Sequence, residues 1–181
     1  MFHGARSFDA ADLGGWDVSR VTNMRLLFGD AFVFRGRGLE HWNVGRVIDM
    51  HCLFSRAELC VPDLSRWDVG RVTDMEGMFR GARSFDADLG DWDVRAVQTM
   101  RYMFYGARNF RGLHLERWKT KTKTKLLTRK MFQYSPAALD ELAEDEAQPT
   151  PIRALVLSYG PAMDPGVPMY VLFTPLELAG L

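Results

Sequence analysis

Leu64-Ser65-Arg66-Trp67-Asp68-Val69-Gly70-Arg71-Val72-Thr73-Asp74-Met75-Glu76-Gly77-Met78-Phe79-Arg80-Gly81-Ala82 recurs along the chain with small changes. Its tryptophan returns as Trp16, Trp42, Trp67, Trp92 and Trp118, at spacings of 26, 25, 25 and 26 residues. Around the first four tryptophans the apolar positions return in step: Val18, Val44, Val69 and Val94, then Val21, Val47, Val72 and Val97. Met24, Met50, Met75 and Met100 follow, then Phe28, Phe54, Phe79 and Phe104, then Ala31, Ala57, Ala82 and Ala107. A leucine precedes every tryptophan by three: Leu13, Leu39, Leu64, Leu89 and Leu115. A fixed period of this size is the signature of stacked repeats, each too small to bury its own apolar side. A repeat offers roughly eight core side chains worth about 1.5–3 kcal/mol each. Ordering its backbone costs on the order of 1–2 kcal/mol per residue, so neighbours must cover one another.

Two periods coexist within a repeat. Val72, Met75, Met78, Phe79 and Ala82 are spaced like the apolar stripe of a helix of about three turns. Gly4, Gly81 and Gly106 stand where such a helix would end in a left-handed residue. Ala87-Asp88-Leu89-Gly90 alternates, as in a short strand. The longer spacings place their extra residue between the ladder phenylalanine and the leucine. The expected fold is therefore α/β: a right-handed solenoid of about five 25–26-residue repeats, each a short strand plus a helix. The methionines suit gaps between rungs better than a metal or cofactor box.

The motif Leu-x-x-Trp-Asp-Val-x-x-Val-x-x-Met-x-x-Met-Phe-x-x-Ala, clearest in Leu64–Ala82 and Leu89–Ala107, resembles the BspA-type, leucine-rich-repeat-like bacterial surface protein repeat, which also occurs in Mycoplasma lipoproteins. The resemblance covers residues 1 to about 118, with Asn43 in place of the usual Asp and Lys119 breaking the pair. It implies a non-enzymatic, extracellular or cell-surface protein that binds other macromolecules, with no catalytic residues and no cofactor. Met1–Phe8 reads like Met78–Phe85, so the chain is expected to start within a repeat, either as a fragment or with an exposed apolar edge.

The 23 basic and 23 acidic residues cancel, but unevenly. Residues 1–134 hold 22 Lys and Arg against 16 acids, and residues 135–181 hold one Arg against seven acids and seven of the eight prolines. That shift places a boundary near Ser135. The solenoid is expected over 1–134, an acidic capping helix over 135–148, opened by Ser135-Pro136, and a Pro-rich, poorly ordered tail over 149–181. Two cysteines give no disulfide framework, and no apolar run is long enough for a spanning helix.

On a strand, the positions flanking the leucine would share one face. One column there reads Asp12, Gly38, Asp63, Asp88 and His114, and its neighbour Gly14, Glu40, Ser65, Gly90 and Glu116. The candidate site is thus a concave strip of Asp12, Glu40, Asp63, Asp88, His114 and Glu116, for a protein partner, calcium or a basic peptide. Its alternative is a solvated polar face. Asp17, Asn43, Asp68 and Asp93 are expected to close turns through their side chains. Recurrent arginines on the helical side, with Lys119, Lys121, Lys123 and Lys125, offer a rival polyanion or nucleic-acid site. No aromatic interleaves with those lysines to stack on bases, which favours a solvated loop and makes nucleic acid the weaker reading. Cys60 is in register with Phe8, Phe34, Phe85 and Phe110 and reads as a core rung, and the His51, Cys52 and His41 spacing matches no zinc pattern. No phosphate-binding loop, nucleophile elbow or His-Glu-x-x-His motif is present, and regular recurrence argues against a catalytic centre.

Overall fold

The computed structural model describes residues 2–10, 12–118 and 130–135. Among them there is no α-helix and no extended strand. The regular elements are two 3₁₀ turns, Leu39–His41 and Leu115–Arg117, and single parallel bridges linking Asn23, Asp49, Asp74 and Thr99 in succession. The expected α/β solenoid of strand-plus-helix repeats is therefore overturned. What stacks is a coil of linked turns.

The apolar spacing explains both the expectation and its failure. In the third repeat the N–H groups of Trp67, Val72, Met78, Ala82 and Phe85 donate to the carbonyls of Leu64, Val69, Met75, Phe79 and Ala82, three residues back in each case. Each turn thus sends its first and last side chains inward and leaves glycine or polar residues at its corners. An α-helix closes bonds over four residues at 3.6 per turn. A string of three-residue corners gives nearly the same apolar spacing, but its other bonds run to the neighbouring coil. The amides of Met50, Cys52, Phe54 and Arg56 donate to the carbonyls of Asp74, Glu76, Met78 and Arg80 at 2.7–2.9 Å.

Left-handed residues set these corners. Positive φ recurs at Leu26, Cys52, Gly77, Tyr102 and Lys130, and again four residues on at Asp30, Arg56, Gly81, Gly106 and Tyr134. Apart from Lys130, each is the third residue of a four-residue turn closed by a bond three residues back, where the type II geometry requires φ > 0. Gly81 and Gly106 are left-handed as the repeat pattern suggested, but as corners rather than helix ends. A non-glycine residue there costs roughly 1–2 kcal/mol, offset by the coil-to-coil bonds of the same arc.

The core is a set of ladders. Phe2, Phe28, Phe54, Phe79, Phe104 and Phe132 stack at centroid separations of 5.6–5.7 Å and within 12° of parallel. The rungs of a second ladder, Phe8, Phe34, Phe85 and Phe110, lie on the first, as with Phe79 on Phe85 at 3.8 Å. Cys60 occupies a fully buried rung of this second ladder, as its register indicated, and burial raises its thiol pKa. The indole N–H groups of Trp42, Trp67, Trp92 and Trp118 each donate to the leucine carbonyl one coil back, those of Leu13, Leu39, Leu64 and Leu89, at 2.7–2.9 Å. Those four rings are buried, whereas Trp16 is 42% exposed.

The extra residue of the longer repeats does lie between phenylalanine and leucine. There a left-handed residue, Gly38 (φ 86°) or His114 (φ 61°), opens the 3₁₀ turn that carries the leucine. Residues 130–135 belong to a further coil: Met131 and Phe132 are buried, and the Phe104 amide donates to the Met131 carbonyl at 2.9 Å.

Candidate functional site

With no strand at the leucine, there is no concave strand face, and the expected acidic strip is made of turn residues. Asp12 Oδ1 accepts the Gly14 amide at 2.7 Å, and Asp88 Oδ1 that of Gly90 at 2.9 Å. Asp63 Oδ1 accepts both the Ser65 amide at 3.0 Å and the Ser65 hydroxyl at 2.7 Å. Glu40 and Glu116 sit on the 3₁₀ turns beside His41 (3.7 Å) and Arg117 (4.0 Å). Of the six residues, Asp88 and His114 meet directly, with Nδ1 2.7 Å from Oδ2. The second ladder closes turns as expected: Asp17, Asn43, Asp68 and Asp93 accept the amides of Ser19, Gly45, Gly70 and Arg95 at 3.0–3.2 Å. A third ladder, Asn23, Asp49 and Asp74, does the same for Arg25, His51 and Glu76 at 2.8 Å.

These bonds hold carboxylates in their charged form. The Ser65 hydroxyl and then its amide lower the pKa of Asp63, and the Gly90 amide, with His114 beside it, lowers that of Asp88. A free aspartate titrates near ~3.9. Each group therefore contributes stability above that value, lost as pH falls through the lower folded pKa. The melting temperature should drop on acidification below about pH 4. Asp63→Asn with Asp88→Asn, which keeps the turn acceptors but cannot titrate, should show a flatter acid limb in a melting series. An unchanged limb would remove these two carboxylates as its cause.

Two outward faces stand out. The first is flat. Short extended segments point Phe34, Cys60 and Phe85 inward and their neighbours outward, tied by Leu59 N–H to the Phe32 carbonyl at 3.2 Å and Val61 N–H to the Arg35 carbonyl at 3.3 Å. At its centre Val33, Leu59 and Val61 are 37%, 42% and 58% exposed. The ion pairs Asp9–Arg35 and Asp86–Arg111, both 2.7 Å, flank them.

The second face runs along the left-handed corners. Tyr102 lies edge-on to Tyr105 (5.9 Å), and Tyr105 edge-on to Tyr134 (5.1 Å). The Arg80 guanidinium lies over both Tyr102 (6.0 Å) and Tyr105 (5.6 Å), and Arg101 over Tyr102 at 5.6 Å. The repeat period alone places Val33 beside Leu59, 26 residues on, and Arg80 beside Tyr105, 25 residues on.

Lys119, Lys121, Lys123 and Lys125, the capping helix expected over 135–148 apart from Ser135, whose hydroxyl donates to the Phe110 carbonyl at 3.1 Å, and the 149–181 tail lie outside the described residues. Among the described residues no group of three or more His, Cys, Asp or Glu side chains is placed to hold a metal ion. Cys52 is half-buried and burial raises its pKa. No helix among those residues is long and apolar enough to cross a membrane.

No curated protein and no solved structure matches the chain. A family model described as "Mycoplasma protein of unknown function, DUF285" matches residues 1–58 and 33–144, overlapping as a repeat requires. The chain belongs to this Mycoplasma repeat family.

Proposed function

We propose that the chain is a non-enzymatic repeat protein that binds a partner protein on its flat face, around Leu59. The observation that carries this reading is the cluster of Val33, Leu59 and Val61, exposed on adjacent coils and flanked by Asp–Arg pairs. Contiguous exposed apolar side chains with a polar rim are typical of protein interaction sites. The repeated carboxylates, by contrast, are engaged in closing turns, which leaves them poor candidates for a calcium or peptide strip and for acid–base chemistry. The likeness to BspA-type surface repeats supports an extracellular or cell-surface setting.

The test is a peptide-display selection on the folded chain and on Leu59→Asp/Val61→Asp. Both substituted side chains point outward, so the melting temperature should be retained. Peptides enriched on the parent chain should lose at least ~10-fold in affinity for the variant, as expected when charge enters an apolar contact. Enrichment that is equal on both proteins would discard this face.

A further inference from the structure

We infer that the tyrosine–arginine face at the left-handed corners is a binding site for a sulfated polysaccharide. The arginines elsewhere on the coil include a set already matched to carboxylates: Arg35 to Asp9, Arg56 to Asp30, Arg83 to Glu58, Arg111 to Asp86 and Arg117 to Asp91. On this face the balance is different. Among the described residues Arg80, Arg101 and Lys130 form no ion pair, and the Arg101 Nε is buried without a hydrogen-bond partner. The acid on the neighbouring coil, Glu76, is turned to the Thr99 hydroxyl at 3.5 Å.

Three positive side chains on successive coils, Arg80, Arg101 and Lys130, therefore present charge that no carboxylate among the described residues offsets. The geometry also selects the class of anion. The guanidinium carbons of Arg80 and Arg101 lie over the rings of Tyr102 and Tyr105, holding the forks in place through cation–π contact. The covered faces of Tyr102 and Tyr105 are then closed to nucleobases, whereas single-stranded nucleic-acid sites need such faces open for stacking. What these side chains offer is a row of N–H donors, with Arg80 exposed and Arg101 and Lys130 half-buried. A guanidinium fork pairs well with a tetrahedral oxyanion, and sulfate stays charged throughout the physiological range. A chain bearing sulfates at sugar-unit intervals can follow the row from coil to coil.

The experiment titrates the full chain with fluorescent heparin, desulfated heparin and a single-stranded oligonucleotide. Heparin is expected to bind, desulfated heparin not to bind, and the oligonucleotide to bind at least ~10-fold more weakly, since its bases find no stacking platform. Arg80→Gln/Arg101→Gln should weaken heparin by ~10-fold or more, through loss of two charge-assisted contacts. Arg20→Gln, which removes an exposed charge elsewhere, should leave it nearly unchanged. Circular dichroism shows that each variant remains folded, and Arg80→Lys/Arg101→Lys, which keeps the charge but not the fork, should rescue only part of the loss. The inference is overturned if the double Gln variant binds as the parent does, or if Arg20→Gln loses as much. It also fails if the oligonucleotide binds equally well, or if the loss is confined to replacement of Lys119, Lys121, Lys123 and Lys125 by Gln.

Discussion

Phe79→Ala is expected to cost about 3–5 kcal/mol, the range for truncating a fully packed aromatic. Phe79 has no exposed surface, stacks on Phe54 and Phe104 at 5.6 Å and on Phe85 at 3.8 Å, and lies 6.5 Å from Trp92. Its loss would open a void at the crossing of both phenylalanine ladders in the middle of the stack. The two flanking coils are held apart by their own backbone bonds and cannot close over it. Since whole domains are stable by only about 5–15 kcal/mol, urea denaturation followed by tryptophan fluorescence should show a midpoint far below that of the parent. Phe32→Ala is the comparison. That ring is half-buried, covered by the Arg6 and Arg56 guanidinium groups, and should cost about 1 kcal/mol, a typical value for a point substitution. Equal losses would mean that the ladders are not what holds the coils together.

Gly38→Ala should be comparably damaging, for a reason in the backbone. Gly38 has φ 86°, and a Cβ there would collide with Asp12 Oδ1 and the Gly14 nitrogen and lie 2.8 Å from the Leu13 nitrogen. The left-handed conformation alone costs an alanine roughly 1–2 kcal/mol, and two of the three obstructing atoms are main chain, which cannot rotate aside. The equivalent position on a later coil is His114, left-handed and bearing a side chain. It is tolerated because Gly90 faces it: a Cβ at Gly90 would collide with the His114 Cβ and lie 2.9 Å from its carbonyl oxygen. Gly90→Ala should therefore also destabilise, whereas Gly15→Ala, with nothing within 4 Å, should stay within about 0.5 kcal/mol, as surface changes do. Melting temperatures of the three variants check this, and a benign Gly38→Ala would show that the coils can slide past each other there.

The repeat length, the inward residues and the turn-closing role of Asp17, Asn43, Asp68 and Asp93 were all legible in the sequence. They depend on residue identity at fixed intervals, and the register of Cys60 with the phenylalanines was enough to bury it. The local conformation was not legible, because Val72, Met75, Met78 and Ala82 satisfy an i, i+3 pattern whether that spacing builds a helix or a run of corners. The distinguishing signal lay at the outward positions. Gly70, Gly77 and Gly81 within one supposed helical stretch would each cost about 1 kcal/mol in a helix and suit left-handed or tight corners. Leu26, Cys52, Tyr102 and Arg56 obscured that signal by standing at left-handed corners without being glycine. The partners on the two candidate faces were legible in the repeat period, Val33 and Leu59 standing 26 residues apart and Arg80 and Tyr105 25, but which side chains face outward depends on the turns. The return of Met131 and Phe132 was hidden by its longer interval from Met103 and Phe104.

Among the described residues the bonds joining one inner coil to the next fall at equivalent positions, and the rings meet their counterparts one level up at an almost constant offset. Excising one whole module, for instance positions 65–89, would bring Leu64 to where Leu89 had been, with the same apolar ladder residues above and below although the Asp86–Arg111 and Glu58–Arg83 pairs would be lost. The cross-section of the column is thus prescribed by the ladder positions, while its height is a free variable that gain or loss of one period can change without a new kind of interface.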